Sequence, residues 1–238
     1  LGPYAACIAI SVALFIQAII FGDGGILSFG ANCFNIAFIL PFTGFFIYKI
    51  LNKIHLSPFY HKCTIFLSAY ISINLAAFFT ALELGIQPLL FVDNLGQPLY
   101  CPYPLWISIP AMALSHLTIA GIAEGLFTLS LYLFILKTSP NIIYDCQQIK
   151  LNSIFSLLAF LIIISPLGLI AEGTAWGEWA PEEILNDTSS GVPLGFIPEK
   201  LLNGFNYEAF FPDYTMSGTS DILAYIASAI IGVALLII

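Results

Sequence analysis

The chain has 238 residues, of which 59% are hydrophobic and only 8% charged, against about 25% charged in an average soluble domain. That composition leaves too little polar surface for a water-soluble globule, and a net charge of −8 without a single arginine offers nothing to a nucleic acid. The chain reads as an all-α, polytopic membrane helix bundle in contact with the lipid bilayer.

Apolar runs long enough to cross a hydrocarbon core of about 30 Å recur at 4–22, 31–51, 63–84, 105–136, 153–171 and 222–238. Runs such as Phe155 to Ile164 are continuous, which excludes the alternating pattern of a barrel strand. Orientation follows from lysine. Lys49, Lys53 and Lys62 fall between the second and third spans, and Lys137 and Lys150 between the fourth and fifth, so those loops are expected on the cytoplasmic side. The carboxy terminus then lies inside, and the segments 22–30, 85–104 and 172–221 lie outside. The last of these carries Glu178, Glu182, Glu183, Asp187, Glu199, Glu208 and Asp213 against Lys200 alone.

The chain opens at Leu1-Gly2-Pro3 with no initiator methionine, no basic leader and no cleavage pattern, which reads as a piece lacking its natural amino terminus. In the first span Ala5, Ala9 and Ala13 form a small-residue ridge, as Gly121 and Gly125 do in the fourth; such ridges permit close helix approach. The turn after the first span, Gly22-Asp23-Gly24-Gly25, is followed by Asn32 and Asn35. Its glycines allow a tight non-helical path, and Asp23, Asn32 and Asn35 supply oxygen ligands or hydrogen bonds. Spaced three apart, the two asparagines are expected on one helix face.

The fourth span holds His116 and Glu124, two ionisable groups at membrane depth. Such groups mark a functional site by default, because a charged form there costs about 2.5–3.5 kcal/mol or more. At this length, with Pro110 inside it, the span is expected to be tilted or broken. The spacing is not that of a His-Glu-x-x-His zinc hydrolase, and no nucleotide-binding motif is present. The five cysteines match no structural zinc pattern, and Cys101 alone falls in an outer loop. Trp176 and Trp179 directly follow a span, where interfacial anchoring is expected, and the acidic segment should pack on the helices as a cap. The residues alone leave a cation-coupled secondary carrier open and give an intramembrane hydrolase little support.

Gly22-Asp23-Gly24-Gly25 with Gly30-Ala31-Asn32-Cys33-Phe34-Asn35, then Asn74-Leu75-Ala76-Ala77 with Thr80-Ala81-Leu82-Glu83-Leu84-Gly85-Ile86-Gln87-Pro88, then His116 with Gly121 and Glu124, resemble the cobalt and nickel uptake permeases of the CbiM/NikM type. The continuation from Ser165 to Trp179 is similar to the carboxy-terminal extension of a cobalt-type subset. The resemblance implies the substrate-capturing membrane subunit of an energy-coupling-factor transporter, not an enzyme. It implies Co²⁺ or Ni²⁺ as cargo, no resident cofactor, and as partners a transmembrane coupling subunit with cytoplasmic ATPase subunits. In that family the metal is held by a methionine and a histidine at the mature amino terminus and by another histidine upstream of Leu1. Asp23, Asn32, Asn35, His116 and Glu124 are therefore expected to support the metal site or its pathway, not to ligate. The expected units are 1–171, a metal-permease bundle, and 172–238, an acidic segment with the last span.

Overall fold

The computed structural model describes residues 2–53, 57–140, 151–170, 174–205 and 207–237. Cys146, Lys150 and Glu172 fall outside the described residues. Six apolar helices carry the fold: α1 (Pro3–Phe21), α2 (Phe29–Leu51), α3 (Pro58–Leu90), α4 (Leu105–Thr138), α5 (Ile154–Ile170) and α6 (Asp221–Ile237). The first four are each long and apolar enough to cross a membrane, and α5 and α6 are shorter. The expected all-helical membrane architecture is thus present.

The third helix extends past both expected ends. Ser57 accepts the Tyr60 amide hydrogen on its Oγ at 3.2 Å and Pro58 opens the first turn, a favourable helix start. At the other end the helix runs through Pro88, whose missing N–H leaves the Leu84 carbonyl without that partner near the closing turn. Polar side chains along α3 are satisfied by their own backbone: Ser68 donates to the Thr64 carbonyl, Asn74 to Tyr70 and Thr80 to Ala76. Such local bonds let hydroxyls and amides lie in a low-dielectric layer without cost.

α3 is the axis of the bundle, packing along α2 and along both halves of α4, while α1 packs on α2. Its inward face is a stripe of small residues, Thr64, Ser68, Ser72, Ala76, Ala81 and Gly85, all buried. A Cβ at Gly85 would meet Leu105 Cα at 2.8 Å, so two backbones touch there. Gly121 and Gly125 on α4 instead make room for side chains of α3, Tyr70 with Asn74 and Phe66 respectively. By contrast Ala5 and Ala9 on α1 are exposed, while Ala13 of the same ridge lines a cavity shared with Tyr225, Ser228 and Gly232 of α6. α6 pairs with α5 and touches α1.

Three helices contain a π-helical turn: Gln17–Phe21 in α1, Cys33–Ile39 in α2 and His116–Ala120 in α4. The fourth span, expected to be tilted or broken, is one continuous helix with such a turn inside it. At the end of the bundle where α1 meets α2, residues 174–205 and 207–220 fold over the helix ends as a cap. Tyr103, only 1% exposed, is its buried hub, with Trp176 at 5.9 Å and Trp179 at 5.5 Å between ring centres. The tryptophans, expected as interfacial anchors, pack into this cluster with Cys101 and Ile107.

Candidate functional site

The turn between α1 and α2 makes three left-handed residues, Gly22 at φ 74°, Gly24 at 72° and Gly25 at 69°, a conformation open to glycine and strained for most others. It folds back on α2. Asn32 donates its Nδ2 hydrogen to the Gly24 carbonyl at 2.9 Å, and Ser28 donates to the same carbonyl. Beneath the turn lies a cavity of about 100 Å³ whose polar lining is Gln17, Asp23, Asn32 and Glu178.

Asp23 is the most constrained of these. Its Oδ2 accepts from Gln17 Nε2 at 2.5 Å and from the Tyr214 hydroxyl at 2.5 Å, and Gln17 Nε2 also lies 3.2 Å from the Tyr214 oxygen. Burial, then the adjacent Asp23 carboxylate, push the Tyr214 phenol up, so it remains a donor throughout the neutral range. At the cavity rim, partial burial and then the charge of Asp23 raise the Glu178 carboxyl above the usual carboxylate range. Carboxylates from two distant parts of the chain thus face one small space.

Asn35 lies one turn deeper and takes a different direction from Asn32. It is 2% exposed, donates to Glu83 Oε2 at 2.7 Å, and its Oδ1 has no partner among the described residues. The two asparagines, expected on one helix face, have different partners, Asn32 the turn and Asn35 the third helix, and between them the helix widens to a π-turn from Cys33. His116 Nδ1 is bonded to the Met112 carbonyl at 2.9 Å, and Glu124 accepts from Thr128 at 3.0 Å, both within α4. The structure therefore brings Asp23 and Asn32 to one cavity, links Asn35 to Glu83, and ties His116 and Glu124 to their own helix.

Gln17, Glu178 and Tyr214 were missed by sequence reasoning. Gln17 carried a signal, a lone amide inside an apolar run; Tyr214 carried none. Among the described residues no group of three or more His, Cys, Asp and Glu side chains gathers as a metal centre. The cavity's oxygens can accept hydrogen bonds and attract a cation, but they lack the nitrogen donors that Co²⁺ and Ni²⁺ favour.

The fold and this polar, loop-covered pocket define a polytopic helical membrane protein with a small hydrophilic site at one end. Residues 1–142 match the cobalt uptake substrate-specific transmembrane region, and residues 151–238 match the PDGLE domain. The chain belongs to this cobalt uptake transmembrane family. It is 41% identical over 239 residues to a probable fused nickel transport protein LarMN of Lactiplantibacillus plantarum, covering 100% of this chain and 72% of the relative. It is 39% identical over 253 residues to the fused nickel transport protein NikMN of Rhodobacter capsulatus, covering 100% and 73%. A crystal structure of a truncated transition metal transporter superposes with a TM-score of 0.54 at 49% identity, over 57% of this chain and 62% of that one.

Proposed function

We propose that this chain is the membrane subunit that captures Ni²⁺ or Co²⁺ for uptake in an energy-coupling-factor transporter. The observation that carries this is the cavity under the Gly22–Gly25 turn, lined by Asp23 and Asn32, in a chain whose full-length relatives are named for nickel transport. The cation is taken from the outer face and released inward while partner ATPase subunits, joined through a transmembrane coupling subunit, hydrolyse ATP. Lysines at the opposite end of the bundle, Lys49, Lys53, Lys62 and Lys137, support an outward-facing cap and an inward carboxy terminus.

In this scheme Asp23 and Asn32 shape the capture site, and Asn35 fixes α2 to α3 through Glu83 beneath it. His116 and Glu124 satisfy themselves along α4 and bear on the pathway through that helix. The test is radioactive Ni²⁺ and Co²⁺ uptake by cells expressing the full-length protein with and without its partner subunits. Uptake that depends on the ATPases is expected. Concentrative uptake by the purified protein alone in vesicles would favour a secondary carrier.

A further inference from the structure

The cap contributes a side chain to a site otherwise built on the first turn. Tyr214 lies 191 residues from Asp23, yet its hydroxyl reaches the same carboxylate oxygen that Gln17 occupies. It does so from an unusual backbone: Asp213 at φ 51° and Tyr214 at φ 60° are successive left-handed residues without a glycine. Such conformations persist only where the surroundings over-determine them. Here the restraints are visible. The Tyr214 ring stacks on Phe21 at 4.9 Å and packs on Tyr225 at 5.6 Å. Its carbonyl accepts from Ser228 at 3.3 Å, and beside it the Phe211 amide donates to the Ile20 carbonyl at 2.9 Å.

The arrangement has a chemical consequence. A phenol has one hydrogen to give, and Tyr214 gives it to Asp23, so its oxygen is left to accept from Gln17. Both donors use Oδ2, and no described residue donates to Oδ1. A carboxylate pinned by one oxygen at the edge of a cavity keeps its other oxygen available as an acceptor and as negative charge toward a cation, and its partners fix its orientation.

Resting on the metal-capture reading above, we propose that Tyr214 is a positioning residue of the capture site. Its hydroxyl, with Gln17, holds Asp23 by one oxygen so that the other stays available to a cation entering the cavity. The carboxy-terminal unit therefore completes the site, and does not merely cover it.

The test is Tyr214→Phe in the full-length protein as its gene encodes it, titrated calorimetrically with Ni²⁺ alone while thermal unfolding is followed in parallel. The substitution keeps both ring contacts and removes only the hydroxyl. Affinity should fall 10–100-fold, the range for loss of such outer contacts, with the melting temperature within a few degrees of wild type. Tyr225→Phe, which keeps the ring packing and touches no Asp23 oxygen, should bind as wild type. Asp23→Asn should weaken binding, and adding Tyr214→Phe to it should cost little more, because the two act as one unit. Gln17→Met removes the other donor to the same oxygen and gives a second measure should Tyr214→Phe not fold. Wild-type affinity in Tyr214→Phe, or full additivity with Asp23→Asn, would overturn the positioning role. A wild-type protein that binds neither Ni²⁺ nor Co²⁺ would overturn the capture reading itself.

Discussion

Asn35 donates its side-chain amide hydrogen to Glu83 across 2.7 Å, joining α2 to α3 inside the helical layer. The bond gives Glu83 a donor in a setting where a lone carboxylate is costly. Asn35→Leu should lower stability by about 1–3 kcal/mol, since it leaves the acid without its donor. Glu83→Gln keeps an acceptor for Asn35 and should cost less than about 1 kcal/mol, in line with interhelical bonds in membranes. Thermal unfolding in detergent would check the order; equal losses would show that the pair does not act as a donor–acceptor couple.

At Gly85 the neighbouring atoms that a methyl would strike are Ser108 Oγ at 2.2 Å and the backbone of Leu105 at 2.8 Å. A side chain could turn away, but backbone cannot. Gly85→Ala should therefore force α3 and α4 apart and cost about 1–3 kcal/mol, as overpacking does. Gly30→Ala is the control, because nothing lies within 4 Å of its added carbon. A comparable fall in melting temperature for both would refute the close-contact account.

Tyr103 and Asp187, 84 residues apart, hold the cap together through a hydrogen bond from the phenol to the carboxylate. Burial opposes the Asp187 charge, but bonds from Ser189, Tyr103 and Trp179 outweigh it and hold its pKa below the usual carboxylate value. Because the folded value is depressed, this stabilisation is present above the ordinary pKa of about 3.9 and is lost as pH falls through the folded value. Burial and then the Asp187 contact raise the Tyr103 phenol. The unfolded chain therefore ionises first above pH of about 10, and the cap weakens on that side as well. Limited proteolysis within residues 187–195 as a function of pH should show both limbs, and Asp187→Asn should flatten the acid one.

Cys101 offers an independent probe of the cap. Burial, partly offset by a backbone hydrogen bond at Tyr103 and reinforced by Asp187, pushes its thiol up to about 11. Thiolate is the reacting form, so maleimide labelling at neutral pH should be slow in the folded protein and should accelerate many-fold in Tyr103→Ala. Labelling of Cys101 at the rate of an unfolded control would mean that the cap does not shield it.

The six apolar runs were legible because lipid imposes length and composition on every span, and the Gly22–Gly25 turn because glycine and asparagine interrupt that composition. Asp23 and Asn32 could be singled out for the same reason. Tyr214 could not. Its approach to Asp23 depends on the left-handed backbone at Asp213 and Tyr214, which a Pro-Asp-Tyr stretch does not announce. The buried stripe of α3 was hidden in a related way, since Thr64, Ser68 and Ser72 read as polar residues although they act as small ones. The separate partners of Asn32 and Asn35 were not legible either, because nothing in the sequence announces the π-turn that begins at Cys33.

Those π-turns give three of the spans a reserve of rotational slack. Each holds one residue more than a regular turn needs, and an α-helix advances by about 100° per residue. Deleting a single residue within Gln17–Phe21 would let the helix close into an ordinary α-turn with Gly22 and Asp23 near their present phase, whereas a deletion in the regular part, Pro3–Ile16, would swing both by about that angle. The polar mouth would then lose its register with the cap though every span remained intact. Inheritance of the site through this fold is thus a matter of phase as much as of side-chain identity.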